Sequence, residues 1–212
     1  EDQASHLLAE WQGVEVGEIP HREIVRHVIE YSMIAAHRHV FGVFFWYAML
    51  SMISLGPMGA VIYRLAGFVR EHWAPSNGSS DISPTLSEVA VQAWRVIDWL
   101  PARATALGFA IVGRFEDAMD GWRHYAQQFP DDNDGVILAA TAGAIDIQLG
   151  GASLDASEAS DDAQASHASG TASTPGRPPE LAHFAQVVGL VWRTVVMWLV
   201  LVALLTMANL LG

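Results

Sequence analysis

The apolar positions of this 212-residue chain fall in blocks rather than in an even scatter. The strongest block runs from Val187 to Leu211, VVGLVWRTVVMWLVLVALLTMANLL, with a single charge at Arg193 and no proline. At about 1.5 Å per residue, a helix of that length crosses a hydrocarbon core of about 30 Å. Arg193 lies near enough to its start to snorkel toward the interface. A second block, Val40 to Phe68, has Phe41, Phe44, Phe45, Trp46 and Tyr47 crowded at its entry and Tyr63 and Arg64 near its exit. Aromatics at the ends of an apolar run form an interfacial belt. Gly56 and Pro57 interrupt this block, and proline lacks an N–H and clashes with the preceding turn. The pattern predicts a broken or kinked membrane helix, with a re-entrant pair of half-helices as the variant.

Two weaker stretches, Ala102 to Val112 and Gly135 to Leu149, are too short to span. The second pairs Ala139 with Gly143 and Ala140 with Ala144, a spacing of small residues that lets helices approach closely. Residues 1–39 read as an amphipathic helical pair punctuated at Ile19-Pro20, with Ile24, Val25, Val28, Ile29 and Met33 on one face. Residues 74–84 read as a Pro/Ser/Gly loop, and Ser87 to Leu100 resumes a helical pattern. Residues 151–180 are rich in Ala, Ser and Asp and cannot assemble a core, so they are expected to form a mobile loop outside the membrane.

Composition narrows the class. The chain is 51% hydrophobic and 16% charged with mean hydropathy +0.25, more apolar than an ordinary soluble domain. The net charge of −12 comes from 23 acids against 11 bases, every one an arginine, so no basic stripe exists for nucleic acid. The absence of cysteine excludes disulfides, thiolate metal sites and a cysteine nucleophile. The chain begins at Glu1 without a charged leader ahead of an apolar core, so no signal peptide is expected there, and a segment of something longer is the expected reading.

The polar residues that could carry chemistry lie beside the apolar blocks. Asp98 and Arg103 flank Pro101, which suits the first turn of a following helix; Asp98 would cap that helix and Arg103 would meet the interface or an anionic ligand. Within Arg114 to Tyr125, Glu116 and Asp120 share a helix face and Asp120 reaches Arg123 or His124. Paired carboxylates there could hold Mg²⁺ with a phosphate-bearing ligand; the plainer reading is a solvated face of ion pairs. Asp131-Asp132-Asn133-Asp134-Gly135 resembles a calcium loop in its first residues but lacks the continuation, and reads as a turn and cap. The histidines, His37 and His39 included, show no metal-ligand spacing and are assigned structural or interfacial roles, so no metal site is expected from them. No phosphate loop, dinucleotide fingerprint or nucleophile elbow occurs.

Three strings, Leu55 to Arg64 (LGPMGAVIYR), Ile97 to Ala106 (IDWLPARATA) and Ala142 to Gly151 (AGAIDIQLGG), resemble in order and separation those of the CobD/CbiB superfamily. The resemblance covers about His21 to the C-terminus outside the low-complexity loop. It implies a membrane-embedded protein, either an adenosylcobinamide-phosphate synthase of cobalamin biosynthesis or an AmpE-like relative associated with sensing for β-lactamase induction. It also implies that further hydrophobic spans precede the part matched here. The synthases join a carboxylate of adenosylcobyric acid to an aminopropanol phosphate with ATP and Mg²⁺, and carry an Asn-Thr-Leu-Asp signature soon after the Tyr-Arg pair. Here Gly67-Phe68-Val69-Arg70 stands in that region, with a cation in place of an acid, and the tyrosine expected after Gly150-Gly151 is missing. These departures favour the AmpE-like, non-synthase branch.

The expected fold is therefore all-α, a polytopic helical membrane protein with amphipathic and interfacial helices. Its expected parts are an amphipathic segment at 1–39, a membrane domain with a broken helix at 40–150, an acidic loop at 151–182 and a C-terminal transmembrane helix at 183–212. The expected site is a pocket for a small anionic ligand among Tyr63, Arg64, Asp98, Arg103, Asp117 and Asp120, with the catalytic residues unassigned. Mg²⁺ and ATP enter only if the chain is a synthase. The expected location is the bacterial inner membrane, multi-pass, with the lipid bilayer and a membrane-protein partner as surroundings and the acidic loop on the non-cytoplasmic side.

Overall fold

The computed structural model describes residues 21–73, 84–151 and 173–211, and these are helical almost throughout. The first helix of the expected N-terminal pair, the loop after residue 73 and most of the acidic loop lie outside the described residues.

Helix α1 (His21–Ala36) buries Val25, Ile29 and Met33, the face its spacing predicts. It continues without a break through a π-helical turn, His37–Phe41, into α2 (Gly42–Ser51). A turn at 52–55, with Ser54 in the left-handed region at φ 63°, reverses the chain into α3 (Gly56–Trp73). The block Val40–Phe68 is thus broken, as its Gly56-Pro57 interruption predicts, into two helices packed antiparallel. Gly42 lies against Tyr63 and Gly59 against Trp46, and a Cβ on either glycine would collide with that neighbour. Gly56 and Pro57 open α3, where the missing proline N–H leaves no gap in the hydrogen-bond ladder.

Helix α4 (Pro84–Val112) runs 29 residues straight through Pro101. This corrects the expectation of a helix starting at Pro101 with Asp98 as its cap: Asp98 is mid-helix and fully buried. Proline removes the bond that the carbonyl of Ile97 would otherwise accept. The indole Nε1 of Trp46, on α2, donates to that carbonyl at 3.3 Å instead.

Helix α5 (Phe115–Tyr125) leads through a short 3₁₀ turn to α6 (Asp132–Ile145). Asp131 caps α6 by accepting from the N–H of Asn133 at 3.1 Å, as the turn-and-cap reading predicts. Almost every residue of α6 is buried, which explains its lack of a polar face. Gly143 meets the backbone of Asp117, so the small-residue spacing does bring α5 and α6 together. Helix α7 (His183–Leu211) adds Val187 and Leu190 to a core shared with Val25, Ile29, Phe109, Ala118 and Ile137.

Among the described residues one helix is long and apolar enough to cross a membrane, His183–Ala208 within α7. Its outer half exposes Leu199, Val200, Leu201, Leu204 and Met207, and the α2–α3 turn exposes Met52, Ile53, Leu55 and Met58. Arg193 is exposed, with its Nε donating to the carbonyl of Gly189 at 3.2 Å.

Candidate functional site

Four polar side chains meet inside the bundle. Ile29, Met33, His37 and Phe41 form a buried row at a spacing of four on α1 and the π turn. Trp94, Asp98, Ala102, Thr105 and Phe109 form the facing row on α4. His37 Nε2 lies 2.9 Å from Asp98 Oδ1 and its Nδ1 lies 2.9 Å from Thr105 Oγ1. From α3, the hydroxyl of Tyr63 donates to the same Asp98 Oδ1 at 2.7 Å. An ionised carboxylate only accepts, so His37 donates to it from Nε2–H, while its Nδ1 meets the Thr105 hydroxyl. Burial pushes the Asp98 carboxyl up, but the bond and charge of His37, the Tyr63 hydroxyl and Arg38 outweigh it and hold the group below its ordinary value. Tyr63 also stacks obliquely on Trp94, with ring centres 5.1 Å apart.

Tyr63 connects this buried group to a pocket of about 490 Å³ between α1, α3 and α4. Arg38, His39, Arg64 and Arg70 line it, with Glu71 as the acid. Arg38 Nη2 donates to Asp134 Oδ2 at 2.6 Å, and Arg70 Nη2 to Asp131 Oδ2 at 3.2 Å, so the head of α6 grips two of the three guanidiniums. Arg70 also sits over the Trp94 ring, 5.8 Å from its centre. Arg64 contacts the His39 ring and, among the described residues, pairs with no carboxylate. Burial raises the Asp134 carboxyl above its ordinary value, with Arg38 opposing. A pocket walled by guanidiniums with apolar flanks suits an anionic group such as a phosphate.

The six residues singled out by sequence divide among three places. Tyr63 and Arg64 line the arginine pocket, and Asp98 lies directly behind Tyr63. Arg103 turns the other way: it donates to Asn133 Oδ1 at 3.2 Å and stacks over Trp99 at 4.1 Å. Asp117 and Asp120 line a separate pocket of about 310 Å³ beside α6. Asp117 there pairs with Arg114 at 2.6 Å, whereas the 3.0 Å bond of His124 Nδ1 is to the backbone carbonyl of Asp120 and not to its carboxylate. Among the described residues no three His, Asp or Glu side chains gather as a metal site.

His37, Arg38 and Arg70 are the members that sequence reasoning missed. The signal for His37 was present in its place on the row Ile29, Met33, His37, Phe41; the pairing of Arg38 and Arg70 with Asp134 and Asp131 depends on tertiary packing.

A family model described as CobD/Cbib protein matches residues 2–191. A protein named "Cobalamin biosynthesis protein CobD" from Stutzerimonas stutzeri is 30% identical over 160 residues, 76% of this chain and 48% of that protein. One of the same name from Chromobacterium violaceum is 32% identical over 137 residues, 63% of this chain and 40% of that protein. Another, from Mycobacterium tuberculosis, is 39% identical over 77 residues, 32% of this chain and 25% of that protein. The chain spans less than half the length of these relatives. No solved structure matches.

Proposed function

The chain belongs to the CobD/CbiB family, and from that premise we propose that it acts in cobalamin biosynthesis as part of an adenosylcobinamide-phosphate synthase. The reaction forms an amide between a carboxyl of adenosylcobyric acid and the amine of an aminopropanol phosphate. The observation that carries this reading is the pocket that Arg38, Arg64 and Arg70 line together with the buried Tyr63. Guanidiniums match a phosphate's oxygens with directed, charge-assisted bonds.

The AmpE-like regulatory reading drew on Gly67 to Arg70, where an acid gives way to a cation. The relatives' shared name favours the biosynthetic branch and lends the regulatory one no support. Arg70 has a place in a phosphate-binding wall, and acids stand close by in Asp131 and Asp134, which arrive from α6 rather than from the signature region. ATP, as the reaction's co-substrate, would activate the carboxyl. The donor set for a Mg²⁺ held by the protein alone is lacking among the described residues, because Asp131 and Asp134 each bind an arginine.

The same reading places α7 across a bilayer and the apolar α2–α3 turn in its hydrocarbon, within a multi-pass protein of the bacterial inner membrane. Exposed leucine, valine and methionine on both elements support that placement.

Complementation tests the reading. The full-length gene, expressed in a strain deleted for its cobinamide-phosphate synthase, is expected to restore growth that depends on de novo cobalamin. Lack of rescue, with expression and membrane insertion verified, would overturn it.

A further inference from the structure

The arginine pocket carries its own counter-ions. Arg38, Arg64 and Arg70 line it, and three carboxylates answer them: Glu71 in the lining, and Asp134 and Asp131 bonded to Arg38 and Arg70 from the head of α6. Charge among these groups is balanced before any ligand arrives, and a phosphomonoester enters with about two negative charges more. Arg38 Nη2 is bound to Asp134 Oδ2 at 2.6 Å, in a pair whose side chains are 30% and 20% exposed, while Arg38 Nε is buried without a hydrogen-bond partner. A guanidinium that a phosphate needs is thus held on one edge by a carboxylate that the phosphate repels.

We propose that Asp134 is a built-in competitor of the incoming phosphate for Arg38, and that the pocket fills with an anion and a proton together, the proton passing from water to the Asp134 carboxylate. The inference rests on the reading of this pocket as a phosphate site, and not on the amide chemistry. Two anions that share one guanidinium repel each other, and a carboxylate in that position relieves the repulsion by becoming neutral. Burial already raises the Asp134 carboxyl above its ordinary value, so the proton goes to a group whose surroundings favour the neutral form. Asp134 keeps 20% of its side-chain exposure and so meets solvent directly. Once neutral it loosens its hold on Arg38, and the guanidinium gives its charge-assisted bonds to the ligand.

The groups around Asp134 leave it as the acceptor. Arg38 from the π turn and Arg70 from α3 oppose its protonation, and Asp131 on its own helix and Asp98 on α4 promote it. Asp131 has Oδ1 engaged by the N–H of Asn133 and Oδ2 by Arg70. Asp98 is pushed up by burial but held below its ordinary value by His37, Tyr63 and Arg38, which keeps it ionised. The Tyr63 phenol of α3 lies within the field of Asp134. Of the titratable groups in the pocket wall, Glu71 and His39, the imidazole is the other group able to gain a proton beside an anion.

Calorimetry on the purified full-length protein tests this, with sulfate as the probe, because it has the tetrahedral shape and double charge of a phosphate and does not itself titrate in this range. Titrations in buffers of differing ionisation enthalpy count the protons taken up on binding. Wild type is expected to take up protons, and to bind at least about tenfold more weakly as pH rises from the ordinary carboxylate range to neutrality. Asp134→Asn is expected to lose most of that uptake, to bind sulfate at least about tenfold more tightly at neutral pH, and to show a flatter pH dependence. In His39→Gln the uptake is expected to persist. Uptake that survives Asp134→Asn, or that disappears in His39→Gln instead, overturns the inference, as does an Asp134→Asn protein of wild-type affinity with its helical content intact. Wild type that binds sulfate without taking up protons overturns it whatever the variants do, and leaves the phosphate site standing. If neither wild type nor Asp134→Asn binds sulfate, the phosphate site fails and the inference with it. If the linkage holds while complementation fails, the synthase reading falls and the inference stands.

Discussion

A side chain at Gly42 would occupy the space taken by the hydroxyl of Tyr63. The two residues lie on α2 and α3, and the bare Cα of one is what lets the phenol of the other reach Asp98 across the bundle. Gly42→Ala therefore forces the ring aside. Overpacking of this kind costs about 1–3 kcal/mol. We expect a lower unfolding midpoint together with loss of activity in amide formation; a variant of normal activity would separate the glycine from the site.

Arg64 is the guanidinium of the pocket without a carboxylate partner among the described residues. Arg64→Gln is expected to raise KM for the aminopropanol phosphate about tenfold, equivalent to about 1.4 kcal/mol for a lost charge-assisted bond. Arg64 is exposed, so the unfolding midpoint should hardly move. Initial-rate kinetics beside a thermal melt check both halves.

Asp134 gives a pH signature. Its carboxyl is raised in the folded state by burial, so the folded protein holds this proton more tightly than the unfolded chain does. The corresponding stability is present below the ordinary carboxylate pKa and is lost as pH rises through the raised folded value. Asp98, held low, works in the opposite sense, and its contribution is lost as pH falls through its depressed value. Relative to Asp134→Asn, wild type should lose stability as pH rises just above the ordinary carboxylate range. Denaturant unfolding at a series of pH values checks the sign.

Gly143 packs against the backbone carbonyl of Asp117, a neighbour that cannot swing away as a side chain could. Gly143→Val is expected to cost at least about 3 kcal/mol, at the upper end of overpacking, by prising α5 from α6. A fall in expression and in the unfolding midpoint, with Gly189→Val as a control where a Cβ meets nothing within 4 Å, would bear this out.

Leu204 is exposed on the outer half of α7. If α7 crosses the bilayer, Leu204→Arg adds about 2.5–3.5 kcal/mol to insertion. The variant should leave the membrane fraction or lose yield, whereas an unchanged distribution would argue against a span. The chain has no cysteine, so single introduced thiols along α7 can map water accessibility without background.

The sequence carried much of this fold in its periodicity. The row Val25, Ile29, Met33 announced the buried face of α1, the small residues of α6 announced its close neighbour, and Asp131 announced the cap. Pro101 misled: a proline after an acid reads as a helix start, but α4 continues through it, with Trp46 supplying the donor that the Ile97 carbonyl loses. Tyr63, Arg64 and Asp98 were legible as candidates, because polar residues beside apolar blocks stand out. Their partners were not, since a histidine on an apolar row looks structural, and the ion pairs of Arg38 and Arg70 join residues 96 and 61 positions apart. No local pattern encodes such separations.

The proline in α4 also sets an address. A regular helix presents its neighbours with carbonyls that are all occupied, and a packed partner could slide by a turn without losing a polar contact. Omitting one donor at residue 101 leaves a single vacant acceptor at Ile97, and Trp46 takes it. The hairpin of α2 and α3 is thereby keyed to one register along α4, the register at which Tyr63 meets Asp98.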